Sequence, residues 1–139
     1  MNQDMNFLPI LFATLHKRMM DYHQQVLSKY GLAKIHMPYL MILFEHPEGM
    51  TQKEMTEKLF LDKAHASRAL KDLIHLGFVR KDEEGTYKNK YYILDIGKTL
   101  IQESRSEGLR LREKLASVLT KDEIEQFRHI SNKIMSIFE

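Results

Sequence analysis

Residues 50–80, MTQKEMTEKLFLDKAHASRALKDLIHLGFVR, hold the pattern from which the fold is read. Thr51 stands three residues before Glu54, so its hydroxyl can accept from the Glu54 amide while the carboxylate reaches back; Met50 and Met55 are placed as a hydrophobic staple across that start. A helix therefore begins at Thr51, with Met55 and Leu59 on one apolar face. Phe60-Leu61 ends it. Asp62 is suited to cap a second helix running roughly from Lys63 to Leu76, with Ala66, Leu70, Leu73 and Ile74 as its buried stripe and Gly77 as a left-handed stop. After Gly77 the period becomes that of a strand at Phe78 to Lys81, residues 82–86 form a charged turn, and Tyr87 to Leu94 return. Helix, tight turn, helix and hairpin, in that order, spell a winged helix-turn-helix.

If Ala66, Leu70 and Leu73 face the core, the other side of the second helix presents Ala64, His65 and Arg68, flanked by Lys63, Ser67 and Lys71. A small Ala64 lets the backbone approach a groove, Ser67 can bond phosphate or a base edge, and Arg68 can grip guanine O6 and N7 together. Six Lys or Arg stand against two Asp between Lys58 and Lys81, whereas the whole chain carries only +2. The positive charge is concentrated where a polyanion would be met. On the returning arm of the hairpin, Lys88 and Lys90 can follow phosphate or enter a minor groove. The expected DNA contacts are therefore Lys63, Ala64, His65, Ser67, Arg68, Lys71, Lys88 and Lys90. A solvated helix face or a soluble hairpin edge would use similar residues, so the joint presence of helix, charge and wing is what favours nucleic acid.

The order of elements and the run Asp62-Lys63-Ala64-His65-Ala66-Ser67-Arg68 resemble the MarR family of bacterial transcriptional regulators, which typically shows an Asp-Lys-Ser-Thr-Val-Thr-Arg-like stretch there. Leu73 to Val79 is similar to the family's Leu-x-x-x-Gly-[Leu/Phe]-[Ile/Val] ending. Ile93-Leu94-Asp95-Ile96-Gly97-Lys98 falls where the family has Leu-Thr-x-x-Gly-Lys before a long helix, with Leu94 in place of the capping Thr and Asp95 as the substitute cap. The resemblance spans essentially the whole chain. It implies a homodimeric repressor on a palindromic operator, released by a small aromatic or phenolic effector bound between the dimer helices and the DNA unit. Phe12, Leu15, His16, Met19, Met37 and Met41 are the candidates to line such a crevice, methionine being adaptable to varied ligands; ordinary core packing would use the same residues. One departure concerns the wing. Counting back from Gly97, the family's wing Asp-x-Arg falls on Gly85 and Tyr87, so Lys88 and Lys90 must stand in for the usual arginine or the wing contributes less.

The rest of the 139 residues is bounded by composition. A single domain, residues 1–139, is expected: about 36–95 as the winged helix-turn-helix, about 5–30 and 97–138 as dimerisation helices. The fold class is mainly α with a small β-wing. Leu8, Leu11, Leu15, Met19, Tyr22 and Val26 recur at helical spacing in a first helix of roughly Asn6 to Tyr30, stopped by Gly31. Pro38 suits the first turn of a short buried helix closed at residues 47–49. Leu100, Ile101, Leu111, Leu115 and Val118 mark a long helix after the wing. Thr120 to Glu123 is a second capping box, and Ile124, Phe127, Ile130, Ile134 and Phe138 stripe the last helix. One small winged helix cannot bury stripes from both chain ends, so a homodimer is the simplest cover.

No run approaches a membrane span and the N-terminus lacks a signal-peptide pattern, so no membrane contact and a cytoplasmic protein are expected. With no Cys, a disulfide framework, a thiolate zinc site and a thiol switch are excluded. The seven His residues show no tight ligand spacing, so neither metal nor cofactor is expected. No phosphate loop, nucleophile elbow or His-Glu-x-x-His appears, and no enzyme is expected. The alternatives are a winged helix used for protein–protein contact and, further off, a metal-responsive regulator.

Overall fold

Residues 3–83 and 89–139 are described by a computed structural model. After a 3-10 turn at Gln3–Met5 come α1 (Phe7–Lys29), a second 3-10 turn (Lys34–His36), α2 (Met37–Glu45), α3 (Gln52–Leu59) and α4 (Lys63–His75). Strands β1 (Val79–Lys81) and β2 (Tyr91–Ile93) pair antiparallel, Val79 opposite Ile93 and Lys81 opposite Tyr91. The long α5 (Asp95–Ser117) and α6 (Lys121–Ser136) follow. This is a winged helix-turn-helix carried between terminal helices.

The caps explain why the helices start where they do. Thr51 Oγ1 accepts from the Glu54 amide at 3.2 Å and Glu54 reaches back to the Thr51 amide at 3.4 Å. Thr120 and Glu123 repeat the arrangement at 3.1 and 2.9 Å, and the bonds received from Thr120 hold the Glu123 carboxyl below the usual carboxylate range. Asp62 caps α4 by accepting from the His65 amide at 2.7 Å. Each contact satisfies donors that a helix N-terminus otherwise leaves open, worth about 1 kcal/mol apiece. α5 starts differently. Leu94 takes its N-cap position without a side-chain cap, and Asp95 is instead the first helical residue, where its negative charge suits the helix dipole.

The core lies between the end of α1 and the start of α5. Leu27, Tyr39, Leu40, Leu43, Met55, Leu70, Leu73, Val79, Leu100 and Ile101 are all buried there. The stripe of α4 is Ala66, Ala69, Leu70 and Leu73, and Ala69 takes the place expected of Ile74, which is 39% exposed. Ala66, Ala69, Leu70 and Leu73 cluster about a single axis of a 3.6-residue helix, and Ile74 falls off its edge. Gly97 allows α5 to leave the wing closely, since a Cβ there would meet Phe78 O at 2.9 Å and Ile93 Cγ1 at 2.7 Å.

Toward the chain ends burial fades. In α1 only Val26 and Leu27 are buried, with Leu8, Leu11 and Leu15 half-buried and Met19 exposed. No residue of α6 is buried, and Phe127 and Ile130 are each more than half exposed. The end of α1 is nevertheless fixed to α5: the Tyr30 hydroxyl and Lys29 Nζ both donate to Glu103, at 2.6 and 2.9 Å. Those two bonds hold the Glu103 carboxyl below its ordinary range.

Candidate nucleic-acid interface

The tight turn between α3 and α4 is made by Phe60 in the left-handed region, at φ 55°, a conformation uncommon for a bulky residue. Leu61 packs against the core while Phe60 stands almost wholly in solvent. That turn sets α4 across α3. α4 then ends on Leu76, and Gly77, at φ +85°, turns the chain into the wing.

With the α4 stripe buried, Lys63, Ala64, Ser67, Arg68 and Lys71 are exposed and His65 is half-buried. Ala64, Arg68 and Lys71 follow one another at helical spacing on the outer side. Among the described residues, no side chain pairs with Arg68 or Lys71. Both cations face solvent.

The two borders of this face are each tied to another helix. On one side Gln52, the first residue of α3, donates through Nε2 to Ser67 Oγ at 3.1 Å and to the Lys63 carbonyl at 3.4 Å. On the other, His65 Nδ1 lies 2.7 Å from the hydroxyl of buried Tyr39 on α2. His65 is thus half turned inward. Gln52 is not among the contacts expected from the sequence. The available signal was positional, because in a helix-turn-helix the first residue of the leading helix abuts the start of the following one.

The wing offers two basic groups that the site reading passed over. Arg80 stacks on the Tyr92 ring at 4.1 Å from its centroid, and Lys81 lies 5.3 Å from that of Tyr91. Alternation along the hairpin pairs each cation with an aromatic on the facing strand. The Lys90 backbone is anchored, its N–H donating to Asp82 Oδ2 at 2.9 Å and its carbonyl accepting from the Asp82 amide at 2.8 Å. Lys88, with Gly85 and Tyr87, lies outside the described residues.

The candidates for a ligand crevice separate. Met37 and Met41 line a small cavity of about 90 Å³ with His23, Glu45, Ile101, Ser104 and Arg105, where α1, α2 and α5 meet. Phe12, His16 and Met19 are exposed along α1 and Leu15 is half-buried there, none of them lining that cavity. Sites for drug-sized ligands run to about 300–1,000 Å³. His23 hydrogen-bonds Ser104 in the cavity wall, and burial lowers its pKa. His36 is also structural: its Nδ1 accepts from the Ala33 amide at 3.0 Å, and its Nε2 lies 3.0 Å from Asp72 on α4. Among the described residues no group of three or more His, Asp or Glu is placed to hold a metal ion, and no helix is long and apolar enough to cross a membrane.

A model of the MarR family matches residues 30–86, the span from the end of α1 into the wing. An uncharacterized HTH-type transcriptional regulator of Bacillus subtilis strain 168, YybA, is 29% identical over 103 residues, covering 73% of this chain and 68% of its own. In fold, the chain is similar to MepR of Staphylococcus aureus in a complex with DNA, with a TM-score of 0.76 at 20% identity, covering 95% of this chain and 98% of the other. It is likewise similar to a MarR transcriptional regulator from Methanosarcina mazei Go1, with a TM-score of 0.74 at 22% identity, covering 95% and 87%.

Proposed function

We propose that the protein, whose residues 30–86 match a model of the MarR family, is a sequence-specific, homodimeric repressor in the cytoplasm that binds a palindromic operator. The observation that carries this reading is the outer face of α4. Its inner residues Ala66, Ala69, Leu70 and Leu73 are buried, while Ala64, Arg68 and Lys71 stand exposed without partners among the described residues. A helix so divided can enter a major groove without unpacking anything, and a duplex supplies the acceptors that the two cations lack. Lys63 and Ser67 at the helix start take phosphate or base edges. Lys90 extends the contact from the wing.

Two copies pair through the apolar stripes of the terminal helices, which sets two α4 helices about one DNA turn apart, roughly 34–36 Å. Release by a small aromatic or phenolic molecule requires that it bind the DNA-incompetent arrangement more tightly than the competent one. A cavity of about 90 Å³ at the junction of α1, α2 and α5 must open further to admit it. The uncharacterized regulator of B. subtilis and the DNA complex of MepR support the DNA reading for this chain by likeness.

Electrophoretic titration of a labelled genomic fragment against excess competitor DNA, across a salt series, tests the proposal. The expected result is a retained complex that survives competitor and weakens steeply with salt. Complete loss to competitor at every salt concentration overturns sequence-specific binding.

A further inference from the structure

Tyr39 is fully buried on α2, and a phenol so placed keeps its proton: burial, with the Asp62 carboxylate nearby, pushes its ionisation above the ordinary tyrosine range. Its hydroxyl meets His65 Nδ1 at 2.7 Å, with ring centroids 5.7 Å apart and the planes tilted by 33°. Among the described residues, His65 supplies the hydrogen-bond partner of that hydroxyl. The O–H therefore donates and Nδ1 accepts, since the reverse arrangement would leave a buried phenolic proton without an acceptor. A neutral imidazole that accepts at Nδ1 carries its proton on Nε2.

The backbone of His65 is fixed too, its N–H donating to the Asp62 cap at 2.7 Å. His36 obeys the same logic in the interior: Nδ1 accepts from the Ala33 amide, so Nε2–H donates to Asp72. His65 differs in place, being half-buried at the rim of the outer face of α4, with Arg68 one turn further on. Among the described residues, no acceptor takes its Nε2–H.

We propose that Tyr39 locks His65 as the Nε2–H tautomer and so makes it a hydrogen-bond donor to an acceptor on a base edge in the major groove. Purine N7, guanine O6 and thymine O4 fit; the amino groups of cytosine N4 and adenine N6, themselves donors, are rejected. Cytosine, whose major-groove edge offers only that amino group, is disallowed at the His65 position. Arg68 also presents donors alone, so adjacent half-site positions both demand acceptors. His65 is the specificity residue, and Tyr39 is a positioning residue acting through it. The inference rests on the DNA-binding reading above and adds to it the polarity of one contact.

Two measurements test it. Nitrogen-15 NMR of the imidazoles in the intact DNA-free protein, with the His65 signals assigned from H65A, should find Nδ1 unprotonated and Nε2 protonated; Y39F should return a tautomer mixture. An Nδ1–H tautomer in the unaltered protein overturns the lock without reference to DNA or to the folding of Y39F. Acceptors in the bound duplex are then deleted singly with 7-deazapurines, 2-aminopurine for guanine and 5-methyl-2-pyrimidinone for thymine. One position should weaken the unaltered protein by roughly 2- to 10-fold, the worth of one hydrogen bond, and leave H65A indifferent. Sensitivity to methylphosphonates in place of every acceptor deletion would make the contact a phosphate one and overturn base reading. Binding with no His65-dependent position overturns this inference alone, whereas a protein that binds no duplex overturns it together with the proposed function.

Discussion

The segment from Leu27 to Ile101 and the helices on either side of it spend apolar residues differently. In the first, the stripes of α2, α3 and α4 close on one another and on the start of α5, leaving Leu27, Tyr39, Leu40, Met55, Leu73 and Leu100 without solvent contact. In the second, equally regular stripes stay open: Phe127, Ile130 and Met135 are each more than half exposed on an α6 that buries nothing, as is Phe138 just beyond it. Both regions have amphipathic periodicity, and side-chain N-caps start α3 and α4 in the first and α6 in the second, so local sequence quality does not distinguish them. What differs is whether the apolar face finds its complement within the same chain. Exposed apolar surface on this scale marks an association site, and in the account above a second copy covers it.

The largest expected effect tests that contrast directly. Replacing Phe127 and Ile130 together by Asp should convert the dimer to monomers by light scattering and reduce operator affinity roughly 100-fold or more, because the two reading heads lose their linkage. An undiminished dimer would place the interface elsewhere. Next comes the closed region, where Leu73→Ala should lower unfolding free energy by about 2–5 kcal/mol in urea titrations, as for other fully enclosed leucines. A loss below about 1 kcal/mol would mean that the core is looser than its burial implies.

Third is the exposed face of α4. Arg68→Ala should leave stability unchanged and weaken binding to the selected site by about 1–3 kcal/mol. Equal weakening on every sequence would reassign Arg68 to phosphate. Thr51→Ala follows, with about 1 kcal/mol of stability lost with the cap of α3.

The smallest effect concerns the junction between the two regions. Burial depresses the pKa of His23, which hydrogen-bonds Ser104 across α1 and α5. The unfolded chain therefore binds a proton more readily than the folded one. The His23 contribution is full above the ordinary histidine value of about 6.5 and is lost as pH falls from there through the lower folded value. His23→Gln should flatten that part of a stability-versus-pH curve, and an unchanged curve would remove His23 from the account.

The contrast also separates what could be read in the sequence from what could not. Thr51 with Glu54, Asp62, Thr120 with Glu123 and Gly77 are short-range signals: α3, α4 and α6 begin beside the first three, and α4 gives way to the wing at the last. Exposure of Arg68 and Lys71 followed from the same periodicity. Ala69, being small, gives a weaker apolar signal than Ile74, yet its position on the helix buries it while Ile74 stays 39% exposed. The ties of Gln52 to Ser67 and of His65 to Tyr39 join residues on different helices, so no local pattern announces them. Tyr39 and His65 are 26 residues apart and meet only after the helix-turn-helix has closed. The cavity among His23, Met37, Met41 and Arg105 likewise depends on how α5 crosses α1 and α2.

Selection of bound duplexes from a random pool, with the number of chains per retained duplex counted by native mass spectrometry, tests the central claim most directly. The account predicts enrichment of a gapped inverted repeat whose half-sites lie about one helical turn apart and which holds two chains. A pool that stays unenriched after repeated rounds, or a single half-site held by one chain, would contradict it.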